Sequence, residues 1–273
     1  MALRLNHSET SYPIQFERLC ARKAAPTKSP IDEFYITFNK VIRKASQSPF
    51  NTDTASLQLL LIPLFGAAEL YFRRFISVAV SVCPLCREQA STQQINYGAV
   101  AAFGVDGIAV AFGEHEGFTS DNAIKRRTLN ILGVEIKPNT SAFSALEDFE
   151  TVCHLRHALV HLSGELLFLN RRKLKVSRPG RLVLQLDAAA YQAVAGKVCN
   201  AVRAYNSYVS NELIKRWQDQ GYIVGQWRRD SQKFRQFLSM TLSKHDIGAC
   251  DPRNMYDAFL GSQPSAPRGR GHR

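Results

Sequence analysis

The stretch HLRHALVH, residues 154–161, places three histidines and one arginine in a segment whose other residues are typical of an apolar helix. At roughly 100° per residue, His154, His157 and His161 fall within a sector of about 60° on a helical wheel. Arg156 lies about 100–140° from His157 and His161, among the apolar positions, where an unpaired guanidinium is costly. The pattern therefore predicts a helix with a polar stripe and an arginine that needs a partner.

Three interpretations of this stripe compete. The first is a solvated helix face with incidental histidines. The second is a metal site, because histidines four residues apart can share an ion, although Ala158 and Leu159 stand where the HExxH motif carries its general base. The third is acid–base chemistry on a phosphodiester, which needs an imidazole that exchanges a proton near neutral pH and a cation that stabilises phosphate charge. We favour the third interpretation and assign no metal.

The surrounding sequence predicts a mainly α fold. Before the stretch, helices are expected after Ser29-Pro30, from Thr52 or Asp53 to about Val82, and from Asp121 to Leu132. The glycine-dotted segment 98–117 is ambiguous between helix and short strands, and we favour helix.

The motif helix itself is expected over 143–162, ended by Gly164. The short runs LLFL (166–169), KLKV (173–176) and RLVLQLD (181–187) then predict a small β-hairpin. A long helix follows from Ala188, with Asp187 as its N-cap, to about Trp217.

Composition narrows the class of protein. The 273 residues are 45% hydrophobic and 21% charged, which is typical of a globular protein. Lys and Arg number 35 against 23 Asp and Glu, and the net charge of +12 favours polyanionic partners, nucleic acid before a membrane surface. Six cysteines without an apolar N-terminal segment favour a reducing, cytoplasmic location, and no apolar run is clean enough to predict a membrane span.

The segment LRHALVHLSG (155–164) resembles the motif of HEPN-domain proteins, including the RiboL-PSP-HEPN and abortive-infection-like ribonucleases. In that motif an arginine, usually followed by a polar residue, is separated from a histidine at the end of the helix by four to six intervening residues. A short hairpin and a long helix also follow the motif in several branches. The resemblance covers about residues 30–217 and implies a HEPN-like helical bundle.

This resemblance sets the domain boundaries that we expect. A flexible basic leader over 1–29 precedes the HEPN-like domain at 30–217. A helical C-terminal extension over 218–260 and a disordered basic tail over 261–273 follow it.

The resemblance also implies a function. HEPN proteins are typically metal-independent endoribonucleases that dimerise to build one active site from two motifs, and many are toxins or antiviral defence effectors. Arg156 and His161 match the catalytic pair. His157 occupies the position where the family most often has asparagine, and Glu69 matches the acidic residue that some members use to orient the arginine. The implied partners are RNA, a second copy of the chain, and an antitoxin or sensor protein; no cofactor is implied.

General chemistry then gives the expected reaction. A histidine removes the proton of an RNA 2′-hydroxyl, the alkoxide attacks the adjacent phosphate, and arginine offsets the developing charge. The products carry 2′,3′-cyclic phosphate ends. DNA lacks the 2′-hydroxyl and would not react by this route.

Two basic segments are candidate RNA contacts. One is the basic hairpin NRRKLKVSRPGR (170–181) with Arg171, Arg172, Lys173 and Arg178, and its alternative is an ordinary solvated turn. His154 of the motif helix is a further candidate RNA contact. The other is the stretch 216–237, where arginines alternate with aromatic residues. Its alternative, a packed C-terminal subdomain, is equally consistent with the sequence.

CPLC, residues 83–86, has the spacing of half a zinc site or of a redox dithiol. We favour a pair of semi-buried thiols at a helix end, with zinc shared between Cys83, Cys86 and Cys250 or a histidine as the alternative. Two further function classes stay open at this point. One is a catalytically inactive HEPN-type RNA-binding or dimerisation module, and the other is a zinc-supported DNA-binding protein.

Overall fold

The chain is mainly α-helical, as its sequence predicts. The computed structural model describes residues 15–21, 27–103, 108–112, 117–244 and 251–261, and no strand is present in them. A short 3₁₀ helix spans Phe16–Leu19. The α-helices are α1 Pro30–Ala45, α2 Thr54–Val82, α3 Pro84–Ala90, α4 Tyr97–Phe103, α5 Ile108–Ala111, α6 Asp121–Arg127, α7 Ser141–Leu162, α8 Phe168–Lys173, α9 Ala188–Asp219, α10 Trp227–Thr241 and α11 Pro252–Gly261. A π-helical turn, Thr128–Leu132, continues α6.

Side-chain caps fix where the principal helices begin. The Asp53 carboxylate accepts a hydrogen bond from the Ser56 amide at 2.8 Å, and Asp187 accepts one from the Ala190 amide at 2.7 Å. The Ser29 and Thr140 hydroxyls accept in the same way at the starts of α1 and α7. Each cap satisfies an amide that the helix leaves unpaired, which stabilises the start by about 1 kcal/mol.

Helix α2 is the centre of the core. It packs on α1, α7, α9 and α10, and twelve of its residues are buried. Its Phe72 ring lies 5.0 Å from Tyr205 of α9 and 5.7 Å from Phe149 of α7, both edge to face. Such pairs contribute about 1 kcal/mol beyond their buried area, so they fix how the three helices pack. α2 is also long and apolar enough to cross a membrane, a criterion that core helices of water-soluble proteins meet as well.

The β-hairpin predicted between α7 and α9 is not confirmed. One antiparallel bridge joins Glu165 to Val183, and the Leu166 amide donates to the Leu182 carbonyl at 2.8 Å. Between these contacts the chain forms α8 instead of strands, and Asn170 of α8 is buried with 5% of its surface exposed. A short apolar run such as LLFL does not distinguish helix from strand, which explains the difference.

The remaining segments are described in part. The ambiguous segment 98–117 contains α4 and α5, but residues 104–107 and 113–116 lie outside the described residues. Most of the predicted leader and tail, residues 1–14, 22–26 and 262–273, lies outside them too. In the stretch 216–237, Trp217 and Phe234 are 2% and 3% exposed, so these two rings belong to the core and are inaccessible to nucleic acid.

Candidate functional site

Helix α7 presents the predicted histidine stripe close to its C-terminal end. The helix ends at Leu162, where Ser163 and Gly164 have φ values of 50° and 86°. The Gly164 amide donates to the Ala158 carbonyl at 2.9 Å, which closes the last turn. Upstream of this cap the rings of His157 and His161 are exposed, and their centroids lie 4.9 Å apart.

Arg156 has the partner that its position on the helix demands. Its Nη1 lies 3.5 Å from Oε1 of Glu69, a residue of the core helix α2. The Glu69 side chain is 16% exposed, and its Oε1 is buried without a hydrogen bond partner. The Arg156 side chain is 34% exposed, so the pair anchors the guanidinium while leaving part of it open to solvent. The structure therefore brings together Glu69 and Arg156, which lie 87 positions apart in the sequence.

His154 differs from the two exposed histidines. Its Nε2 is buried without a hydrogen bond partner, and its ring contacts the side chain of Asn170 in α8. Burial lowers the pKa of His154 below its ordinary value of 6.5, and electrostatic interaction with Lys173 and His157 lowers it further. The imidazole at this position is therefore neutral at physiological pH.

These side chains open into one cleft of about 530 Å³ between α7 and α8. The predicted residues His154, Arg156, His157 and His161 all line it. The sequence did not point to the rest of the lining, which comprises Thr119, Ser120, Glu150, Cys153, Leu162, Leu167, Phe168, Leu169 and Asn170. Helical spacing was an available signal for Glu150, because it precedes His154 by four residues on α7.

Glu150 sits in a carboxylate pair beside the cleft. Its Oε2 accepts a hydrogen bond from the Asp121 amide at 3.0 Å. The contact with the Asp121 side chain raises the pKa of Glu150, and burial adds to this effect. Burial opposes ionisation of Asp121 as well, but contacts with Glu150 and Lys125 outweigh it and lower the pKa of Asp121. The Asp121 carboxylate lies 2.6 Å from Lys125 Nζ, which contributes to lowering its pKa.

The basic residues proposed to contact RNA have different surroundings. Arg171 donates to the carbonyl oxygen of Gly180 at 3.0 Å and to that of Arg178, so its guanidinium closes the loop after α8. Lys173 lies 3.9 Å from Glu150 with 53% of its side chain exposed. Arg172 and Arg178 are exposed. Arg171 therefore has a structural contact that the sequence did not predict, while the other three cations face solvent.

The two thiols of CPLC are fully buried. Cys83 caps α3, and its Sγ accepts hydrogen bonds from the Cys86 amide at 3.4 Å and from Nε1 of Trp217 at 2.9 Å. The hydrogen bond between the two thiols lowers the pKa of Cys83 to about 6 and raises that of Cys86. The described part of the chain has no group of three His, Cys, Asp or Glu residues that could hold a metal, and Cys250 lies outside that part.

No protein-family model matches the chain, and no curated protein or solved structure is significantly similar to it.

Proposed function

We propose that the protein is an endoribonuclease that cleaves RNA without a metal ion and leaves 2′,3′-cyclic phosphate ends. The observation that carries the proposal is the cleft of α7, where Arg156, anchored by Glu69, lies beside the exposed pair His157 and His161. A cation for the phosphate and imidazoles for proton transfer are the groups that this reaction needs. The resemblance of LRHALVHLSG to the HEPN motif supports the same assignment.

In the proposed mechanism, His161 accepts the proton of the 2′-hydroxyl, whose oxygen attacks the neighbouring phosphorus. The P–O5′ bond breaks, and a second imidazole protonates the leaving 5′-oxygen. Arg156 stabilises the charge that accumulates on the non-bridging phosphate oxygens. Glu69 holds the guanidinium in place without contacting the substrate. Acid–base catalysis of this type contributes about 10²–10⁴ in rate.

A homodimer is the source that we propose for the second imidazole. One face of α2 carries exposed residues that are all uncharged, and we name it the α2 stripe; its members are Ala55, Leu59, Ile62, Pro63, Gly66 and Leu70. Leu59, Ile62 and Leu70 are 67%, 38% and 43% exposed. A continuous apolar stripe of this kind is typical of a surface that another protein covers. We propose that contact between two such stripes forms the dimer.

The test is RNA cleavage in excess chelator by the wild-type protein, His161→Ala and Arg156→Ala, with assay of cyclic phosphate ends. We expect the wild type to cut RNA but not the corresponding DNA. Both variants should be folded but should not cleave RNA. Absence of cutting in all three proteins, or equal cutting, would contradict the proposal. The inactive HEPN-type RNA-binding or dimerisation module would then take its place.

The biological setting, a toxin or antiviral defence effector, rests on the resemblance alone. Induced expression in a bacterial host tests it, because cleavage of cellular RNA halts growth. We expect the wild type to arrest growth and His161→Ala, expressed to the same level, to permit it. Normal growth with the active enzyme would contradict the toxin assignment while leaving the RNase assignment intact.

A further inference from the structure

Helix α8, together with its N-cap residue Leu167, buries a polar residue and exposes apolar ones. Asn170 is 5% exposed, whereas the consecutive residues Leu167, Phe168 and Leu169 are 49%, 73% and 65% exposed. A surface helix normally has the opposite arrangement. Single exposed apolar residues are ordinary, but three in a row along the wall of a cleft indicate a binding surface. This wall, which we name the α8 wall, faces the same cleft as His157 and His161.

The α8 wall is held in place from both sides. Before it, the Leu166 amide donates to the Leu182 carbonyl at 2.8 Å. After it, Arg171 donates to the carbonyl oxygens of Arg178 and Gly180, and the Val176 amide donates to the Arg171 carbonyl at 2.8 Å. A surface that is ordered before the ligand arrives loses less conformational entropy on binding. The exposed ring of Phe168 is therefore a preorganised contact.

The charge of the segment that carries the α8 wall indicates the occupant, and Lys173 lies 3.9 Å from Glu150, the carboxylate that lines the cleft. Between residues 165 and 181 the chain has six cationic residues and one carboxylate, which are Arg171, Arg172, Lys173, Lys175, Arg178 and Arg181 against Glu165. Glu165 is itself paired with Arg181 at 2.9 Å. An exposed aromatic ring on a segment rich in cations is a combination that binds unpaired nucleotides, since the ring stacks on a base and the cations attract the phosphates.

A second copy of the chain fits this surface poorly. In a symmetric contact centred on Phe168, the cations of both copies would face each other and repel. The uncharged α2 stripe has no such penalty. The two exposed apolar surfaces thus differ in charge: the α2 stripe is uncharged, whereas the segment of the α8 wall is cationic and suits a polyanion.

We propose that Phe168 stacks on an unpaired nucleobase next to the scissile phosphate, so that the cleft selects single-stranded RNA. This inference rests on the proposed function, because it assigns the substrate class of the same cleft. In a duplex the bases are already paired and stacked, and none can reach the Phe168 ring. RNA loops and single strands are therefore the substrates, and Phe168 determines this specificity.

Binding of a fluorescent single-stranded oligonucleotide with 2′-O-methyl groups at every position tests the inference, because this probe cannot be cleaved. We expect Phe168→Ala to weaken binding roughly tenfold, Phe168→Leu to weaken it similarly, and Phe168→Trp to preserve it. Tyr97→Ala is the matched control, since Tyr97 is an 84% exposed aromatic residue that does not line the cleft. It should bind like the wild type, and a duplex of the same sequence should bind more weakly to all of them.

Three results would overturn the inference. One is an affinity of Phe168→Ala for the single-stranded probe equal to that of the wild type. Another is failure of the wild-type protein to bind the probe. The third is a change from dimer to monomer in Phe168→Ala by light scattering, which would show that a second copy covers the α8 wall. Binding that depends on Phe168, in a protein that cuts no RNA, would instead support the stacking site and contradict only the proposed nuclease function.

Discussion

Replacement of Glu69 by glutamine isolates the anchoring of Arg156, because glutamine keeps the shape of the side chain and removes its charge. At the Nη1–Oε1 distance of 3.5 Å, two unit charges attract by about 5 kcal/mol at an effective dielectric constant of about 20. The Arg156 side chain is 34% exposed, so solvent screens this attraction strongly. We therefore expect Glu69→Gln to lower the free energy of unfolding by only about 1 kcal/mol.

The effect on RNA cleavage should be larger than the effect on stability. A catalytic group displaced by about 1 Å can lose about 10²-fold in rate. We expect Glu69→Gln to lower kcat by about 10- to 100-fold and to change KM little, because the guanidinium acts on charge that develops in the transition state. Steady-state cleavage of a short fluorogenic RNA measures both constants, and urea unfolding measures stability.

Glu33→Gln is the matched control. It removes an ion pair of the same kind, between Glu33 and Arg74 of α2, with a distance of 3.2 Å and exposures of 24% and 21%. Its loss of stability should be similar and its cleavage rate unchanged. Wild-type kcat in Glu69→Gln, or an equal fall in kcat in Glu33→Gln, would refute the positioning of Arg156 by Glu69.

Three further perturbations test other parts of the structure. Because the pKa of His154 is lowered in the folded state, the unfolded chain takes up the proton first, and the protein loses stability as the pH drops below 6.5. We therefore expect His154→Gln to lose less stability than the wild type between about pH 7 and pH 5.5, as measured by urea unfolding. Gly66→Arg, which places a charge in the α2 stripe, should abolish the dimer, as measured by light scattering, and RNA cleavage. Gly196→Arg, at an equally open helical position of α9, should preserve both the dimer and cleavage. Asp230→Asn should lower the free energy of unfolding by about 2 kcal/mol without altering RNA binding, because this buried carboxylate accepts hydrogen bonds from three amides and the Tyr256 hydroxyl.

The order of the long helices could be predicted because their signals are local. Asp53 and Asp187 cap α2 and α9 as their sequence positions predict, and the apolar period between the caps needs no knowledge of the tertiary structure. The need of Arg156 for a partner could also be predicted from one helical wheel. Glu69 was selected from the family resemblance, since no local rule connects the two residues.

The α8 wall shows why the rest could not be predicted. LLFL has the composition of a buried strand, yet Phe168 and Leu169 are exposed and Asn170 is buried. This arrangement is decided by contacts outside the helix, namely the bridge from Glu165 to Val183 and the hydrogen bonds of Arg171 that close the following loop. Hydrophobic pattern alone predicts burial, so it fails where apolar side chains are exposed, as they are in the α8 wall.

The central position of α2 has a consequence for how the two walls of the cleft open. Amides of α2 around Glu69 lie among fully buried rings and should exchange with solvent deuterium only when the whole domain unfolds. Helix α8 has six residues, one of them buried, and should exchange through local opening at a much lower free energy. The wall formed by α7, which carries Arg156 and packs on α2 and α9, thus keeps its shape. Helix α8 is ordered in its closed position by its hydrogen bonds, but it opens at a lower cost in free energy. RNA could then enter and leave the cleft without any movement of the anchored arginine.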